Sequence, residues 1–156
     1  MTTTLDPTET LLDPGLTEIE ANVRLATNWL RWISTADVAA LLQTAAPDWQ
    51  LHGGPPNLPS GPAGLCVLAA HLRDVEQTWT IDDVIAAGNR VVLRATNRCE
   101  QPSFLGVPAA GVQQIFTATF TFRIDNGLVH DIWRNADDLG RLLQLGARIE
   151  PSGPGE

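Results

Sequence analysis

Two segments that alternate apolar and polar residues flank a turn at residues 125–127, and this hairpin constrains the fold more than any other part of the chain. The first segment reads IFTATFTF and the turn reads DNG, a combination typical of tightly joined antiparallel strands. The second segment passes through Trp133 into a short helix that begins at Asp137. The pattern therefore predicts that an antiparallel sheet ends here and that a helix closes it.

Helical patterns precede the sheet. Apolar residues recur every three or four positions from Leu16 to Ile33, which predicts a long amphipathic helix. Further elements are predicted as short helices at 37–42 and 63–74, a strand at 48–52, a Gly- and Pro-rich rim or lid at 53–62, and strands at 78–87 and 90–101. Helices followed by an antiparallel sheet indicate an α+β fold. We expect a cone-shaped domain whose curved antiparallel sheet wraps around the N-terminal helices and encloses a pocket.

Length and charge bound the class of protein. The 156 residues fit one domain, which we expect at 16–149, between a disordered head at 1–15 and a disordered tail at 150–156. The net charge is −8 and no basic cluster is present, so a nucleic-acid partner is not expected. The sequence shows no signal peptide and no apolar run of about 18 residues. We therefore expect a soluble, cytoplasmic protein with no membrane partner.

Several catalytic chemistries are absent from the composition. The chain contains no lysine and no tyrosine, which excludes a Schiff-base lysine and a phenolic acid catalyst. Cys66 and Cys99 match no metal-binding spacing and are expected to be buried thiols. His52, His71 and His130 fall on different predicted elements, so a shared metal site is not expected. We expect neither a metal nor a cofactor.

Aromatic residues are predicted to line the pocket. Trp29 and Trp32 widen the apolar stripe of the first helix, as expected for a helix that packs on a sheet and walls a cavity. In the segment before the turn, Phe116 and Phe120 share one face. Such a pocket favours a small hydrophobic substrate. The opposite face is expected to lie outside and to form a homodimer through Thr117, Thr119, Thr121, His130 and Ile132.

Short motifs between residues 104 and 146 resemble those of a known family. They are FLGVP at 104–108, Gly111, Phe122-Arg123 before the turn, Trp133 with Asn135 and Asp137, and LQLG at 143–146. The family is that of the SnoaL-like polyketide cyclases, within the nuclear transport factor 2-like superfamily. The resemblance covers residues 29–147 loosely and 103–147 well. It implies a cone-shaped fold and a cofactor-independent cyclisation.

The resemblance also implies which positions face the substrate. The family's proton-transferring aspartate falls at Phe120, its histidine at Glu100, its glutamine at Arg98, and the asparagine that ends its first helix at Ser34. A similar pocket with different chemistry is therefore implied. The expected substrate-binding residues are Trp29, Trp32, Ser34, Phe104, Phe116, Phe120 and Trp133.

Glu100 is the leading candidate for a general base. Because Arg98 shares its face of the strand, we expect an ionised carboxylate that the guanidinium orients, or a guanidinium that holds a substrate oxygen. The alternative is an ion pair at the rim, which contributes under about 1 kcal/mol.

Three further residues are candidates for the catalytic site. The resemblance implies that Asp131, Trp133 and Asn135 face the cavity. Asp131 is then either a second pocket carboxylate or the partner of an arginine. His52, at the junction of strand and lid, is a candidate donor to a substrate oxygen. Asp137 is expected to be the N-cap of the last helix.

A second resemblance leaves the reaction open. Trp133-Arg134-Asn135 and Arg98-Cys99-Glu100 are similar to the sequences around the Asp–Arg–Asp site of limonene-type epoxide hydrolases. The expected function is therefore a small cyclase or isomerase that acts on a hydrophobic, polyketide-like natural-product intermediate. The alternatives are epoxide hydrolysis or epoxide-opening cyclisation, and non-catalytic binding of a small molecule.

Overall fold

The computed structural model describes residues 16–151 and 153, so the predicted head and residues 152 and 154–156 of the predicted tail lie outside the described residues. Four helices and seven strands are present within residues 16–151. The helices are α1 Glu18–Thr35, α2 Val38–Thr44, α3 Gly61–Leu72 and α4 Asp138–Gln144. The strands are β1 Ala45–His52, β2 Glu76–Ala87, β3 Arg90–Glu100, β4 Ser103–Phe104, β5 Val107–Pro108, β6 Gln114–Asp125 and β7 Leu128–Ala136.

Three of the four described helices begin at residues whose side chains cap them. The Thr17 hydroxyl accepts a hydrogen bond from the backbone N–H of Glu20, and the Glu20 carboxylate accepts one from the backbone N–H of Thr17. Asp37 caps α2 through its carboxylate. Asp137 accepts a hydrogen bond from the Gly140 N–H at 2.8 Å, which confirms it as the predicted N-cap of the last helix.

The main sheet has five strands in the order β1-β7-β6-β3-β2. The neighbours from β2 to β7 are antiparallel, as predicted, but β1 runs parallel to β7. The sheet is therefore mixed rather than wholly antiparallel, because β1 joins the edge in the same direction as the last strand. Register shifts in β2 and between β6 and β7 bend the sheet. The α+β prediction is confirmed.

The core lies between the inner face of this curved sheet and α1. Trp29 is fully buried, and its indole N–H donates to the Thr44 hydroxyl at 2.8 Å. Its ring lies 6.0 Å from that of Trp49 and 6.5 Å from that of Phe122. Burial of a ring of this size stabilises a fold by about 3 kcal/mol, so these contacts fix α1 on the sheet.

Alternation in β6 agrees with the prediction. Phe116, Phe120 and Phe122 are buried on the inner face, whereas Thr117 is exposed on the outer face. Within the described residues, no helix is both long and apolar enough to cross a membrane.

Candidate active site

The prediction that Arg98 and Glu100 face the cavity is wrong. Both side chains are exposed, on the outer face of β3. The inner face of β3 instead carries Val91, Leu93, Ala95, Asn97 and Cys99, all of which are buried. The apolar residues at the start of the strand set which face is inner, and strict alternation then places residues 98 and 100 outside. The inward positions at the end of β3 are therefore Asn97 and Cys99.

Asp131, Trp133 and Asn135 also lie on the outer face, contrary to the prediction. They pair with Arg123, Thr121 and Thr119, which belong to the outer face of β6. The register shifts at His130, so Val129 faces inward while Asp131 faces outward. The bulge thus reverses the alternation of β7.

The outward residues of β1 and β7 form a polar cluster. His52 Nε2 lies 2.9 Å from Asp131 Oδ1, and the His52 ring stacks on Trp133 at 5.0 Å between centroids. Arg123 donates to the second Asp131 oxygen at 2.8 Å. Partial burial raises the pKa of Asp131, but the hydrogen bonds from His52 and Arg123 outweigh it and hold the pKa below its usual range. Asp131 is therefore an arginine partner outside the cone.

The predicted substrate-binding residues divide into three groups. Trp29, Trp32, Phe116 and Phe120 are buried in the core or on the inner sheet face. Ser34 lines an open groove between α1 and β2, and Phe104, in β4, packs against Arg141. Trp133 lies outside, as described above.

Two rows of side chains cross the inner face near the ends of β2 and β3. Gln77, Cys99 and Gln114 occupy paired positions on β2, β3 and β6. The adjacent row contains Trp79, Asn97 and Phe116. The polar side chains of the two rows form a strip of Gln77, Asn97, Cys99 and Gln114. This polar strip lies beside an aromatic wall, in which Trp79 makes edge contacts with Phe116 and Phe120 at 5.6 and 5.1 Å.

The side-chain amides of this strip are only partly satisfied. The Gln77 carbonyl accepts from Trp79 Nε1 at 3.0 Å and from Asn97 Nδ2 at 3.3 Å. Within the described residues, no partner is found for Gln77 Nε2, Asn97 Oδ1 or Gln114 Nε2, although all three atoms are buried. Buried polar groups almost always have a partner, so these three atoms are candidates to bind a ligand or water.

Arg141 of α4 closes over this strip. It is 6% exposed, and its Nε donates to Gln114 Oε1 at 3.2 Å. The guanidinium carbon lies 3.5 Å from the centroid of Phe104 and 4.2 Å from that of Phe116. Weaker contacts join Nη2 to the Cys99 sulfur at 3.7 Å and Nη1 to Asp138 at 3.5 Å. A cation is thus buried among aromatic rings and amides.

A second arginine competes for the same carboxylate. Arg134 donates to both Asp138 oxygens, at 2.8 and 2.7 Å. Partial burial raises the pKa of Asp138, but the bonds and charge of Arg134, with a smaller effect of Arg141, hold it below its usual range. Burial lowers the pKa of Arg141, yet a guanidinium keeps its proton at every physiological pH. Asp138 is therefore ionised beside two cations.

An open groove leads toward the strip from outside. It has a volume of about 390 Å³ and is lined by residues of α1 and β2 that include Ser34, Leu30, Gln77 and Trp79. Gln77 and Trp79 belong to both the groove and the inner rows, so the groove borders the strip at these two side chains.

Sequence reasoning missed Arg141, Gln114 and Asn97. The alternation of β3 could have identified Asn97, but the last helix carries no signal for an inward arginine. Within residues 16–151 and 153, no three His, Cys, Asp or Glu side chains converge to hold a metal ion, and the expectation of a metal-free site stays a prediction.

The sequence and fold match known proteins. Residues 26–132 match the SnoaL-like domain family. TsrD from Streptomyces laurentii is 27% identical with a TM-score of 0.72, over 85% of this chain and 99% of TsrD. No protein of curated function matches the sequence.

Two further structures share the fold at 16% identity. One is a SnoaL-like polyketide cyclase from Agrobacterium tumefaciens, with a TM-score of 0.67 over 80% of this chain and 98% of that chain. The other is an LEH-like epoxide hydrolase from M. tuberculosis, with a TM-score of 0.64 over 80% of this chain and 88% of that chain. The match of the family over most of the domain confirms the resemblance: the chain belongs to the SnoaL-like family.

Proposed function

We propose that the protein is a small cofactor-independent enzyme that cyclises or isomerises a hydrophobic, polyketide-like intermediate on the inner face of its sheet. Membership of the SnoaL-like family and a fold shared with a polyketide cyclase support this proposal. The observation that carries it is the polar strip: buried amide groups without partners, set against an aromatic wall.

The strip suits the stabilisation of an enolate. When a proton leaves a carbon between two carbonyl groups, negative charge develops on an oxygen, which the unpartnered N–H groups of Gln77 and Gln114 would stabilise. The carbon then bonds to a second carbonyl carbon of the same molecule, and that carbonyl oxygen takes up a proton. The reaction is an internal rearrangement of bonds and needs no co-reactant. Each fixed donor contributes a factor of about 10² to 10³ in rate.

The proton acceptor differs from the one predicted, because Glu100 lies outside the cone. Within the described residues, Asp138 is the one carboxylate that pairs with the inner arginines, and two cations hold it ionised. A carboxylate engaged in this way is a weak base. The site therefore favours substrates with acidic C–H groups, whose proton water in the groove accepts. Arg98, Glu100 and Asn135, on which the epoxide alternative depended, all lie outside.

The experiment uses 1-phenylbutane-1,3-dione, a neutral diketone whose enolate absorbs in the near ultraviolet. Binding to the protein should lower the apparent pKa of the diketone by about one unit or more, since one unit corresponds to about 1.4 kcal/mol. The double variant Gln77→Leu with Gln114→Leu should remove the shift. Gln43→Leu, on the exposed side of α2, is the matched control. A diketone that binds without any shift would indicate a binding domain rather than an enzyme.

A further inference from the structure

The charges at the inner end of the cone do not balance. Arg134 engages both oxygens of Asp138, while Arg141 reaches one of them at 3.5 Å. Two guanidinium groups thus share one carboxylate, and within the described residues no other acidic side chain pairs with either of them. One positive charge remains in excess.

The excess charge belongs to Arg141. This side chain is 7% exposed, compared with 17% for Arg134, so water compensates it least. Burial of a charge without a full counter-ion is costly, and ring contacts with Phe104 and Phe116 offset only part of that cost. An arginine has five N–H donors, of which the contacts to Gln114, Asp138 and Cys99 use three. Donors remain for an incoming anion.

Gln114 is the buried side chain that would share an anion with Arg141. Its carbonyl oxygen accepts from Arg141 Nε, and the nitrogen of the same amide is buried without a partner. Because a glutamine carries no charge, Gln114 cannot act as the counter-ion of Arg141, and a bound anion would have to supply the negative charge. A carboxylate matches this arrangement because its two oxygens can accept from a guanidinium and from an amide at once.

Resting on the proposed function, we propose that the substrate is a carboxylic acid with an aromatic or extended apolar body, and that Arg141 and Gln114 bind its carboxylate. The apolar body then lies along Phe116 and Trp79, toward the groove. For an acid substrate the two tasks are divided: Arg141 and Gln114 bind the carboxylate, while the N–H group of Gln77 receives the charge that develops during reaction.

The test compares 2-naphthoate with 2-naphthamide, and benzoate with benzamide, by titration calorimetry. The acids should bind about ten- to a hundred-fold more tightly than the amides, as expected for a hydrogen bond to a charged group. Arg141→Met, which keeps the volume, should abolish this preference, whereas Arg73→Met on the exposed end of α3 should keep it. Equal affinities of acid and amide, or no binding of either acid, would overturn the proposal.

A second variant keeps the test informative if Arg141→Met fails to fold. Gln114→Glu places a carboxylate beside Arg141 and supplies the missing charge from the protein itself. This variant should melt at a higher temperature than the wild type and lose the preference for 2-naphthoate. A Gln114→Glu protein that retains the preference would contradict the assignment.

The two proposals fail separately. The diketone carries no carboxylate, so a missing enolate shift counts against the proposed reaction and not against the binding of acids. If the enolate shift is intact but acid and amide bind equally, only the proposal of a carboxylic acid substrate is rejected.

Discussion

Glu100 accepts a hydrogen bond from the backbone N–H of Gly111 at 2.8 Å. The bond joins the end of β3 to the loop that leads from the β4–β5 hairpin into β6. Glu100, which the sequence predicts as a catalytic base, therefore stabilises the loop that follows the β4–β5 hairpin. Phe104 of that hairpin contacts Arg141.

Glu100→Gln should leave the rate at which the bound diketone forms its enolate within about three-fold of the wild type, because the carboxylate lies outside the site and a glutamine oxygen can still accept from Gly111. Loss of a positioned general base would cost about 10² to 10⁴ in rate instead. Glu100→Ala should accelerate hydrogen exchange at the Gly111 amide. A severe loss in Glu100→Gln with normal folding would restore Glu100 as a catalytic residue.

Asp131→Asn should destabilise the protein by about 1–2 kcal/mol at neutral pH, because it weakens the bonds to His52 and Arg123. The pKa of Asp131 is lowered on folding, so its stabilising effect is present above the unfolded pKa and disappears as pH falls through the folded one. Denaturant unfolding should therefore show the difference at pH 7 and lose it well below pH about 4.

Asp48→Asn is the matched control for that measurement. Asp48 contacts His130 at 3.2 Å but is 75% exposed, so its substitution should change the free energy of unfolding very little. A difference between wild type and Asp131→Asn that persists in acid would contradict the ionic origin of the effect.

The homodimer stays a prediction, with its surface corrected. The threonines of β6 face outward as expected, but Ile132 is 1% exposed and faces inward, so it cannot contribute. The outer face carries a shallow cavity of about 360 Å³ that includes Thr117, Thr119 and Asn135. Thr119→Arg should convert a dimer into a monomer in light scattering, while Ala70→Arg on exposed α3 should not. A wild type that is monomeric at all concentrations would remove the prediction.

The two cysteines should react at very different rates. Cys66 is exposed, so the prediction that both thiols are buried is wrong for Cys66 and confirmed for Cys99. Burial raises the pKa of the Cys99 thiol, although Arg141 opposes this. Native protein treated with iodoacetamide should therefore carry one alkyl group, on Cys66, by mass spectrometry. Unfolded protein should carry two. Early modification of Cys99 would contradict its burial in the native protein.

Local sequence signals predicted most of the helices and strands. They did not predict which face of β3 and which face of β7 points inward. The caps at Asp37 and Asp137 and the alternation of β6 follow from nearest neighbours, so the sequence reveals them. For β3, the shared face of Arg98 and Glu100 was correct and its direction was wrong. For β7, a bulge at His130 reversed the alternation, and a bulge is a tertiary adjustment that an alternating pattern does not encode.

The candidate site depends on an unusual orientation of α4, in which an arginine faces inward and two leucines face outward. Leu139 and Leu143 are 50% and 51% exposed, while Arg141 between them is buried. Hydrophobic periodicity would place the leucines inward and the arginine outward. Stacking on Phe104 and the bond to Gln114 outweigh that tendency, and both depend on strands distant in sequence.

The parallel partner of β1 has a consequence for how the chain is made. His52 and Asp131 are 79 positions apart, so the first strand leaves the ribosome long before the strand it pairs with. Until then, only nearby elements can cover the apolar side of β1. Trp49 of β1 packs on Gly64 of α3, which is close in sequence. We expect the hairpin of β6 and β7 to gain protection first in pulse-labelled refolding and β1 to dock last, because long-range closure is slow. Newly synthesised chains that lack their final thirty residues should then hold a formed helical layer beside an unfinished sheet edge.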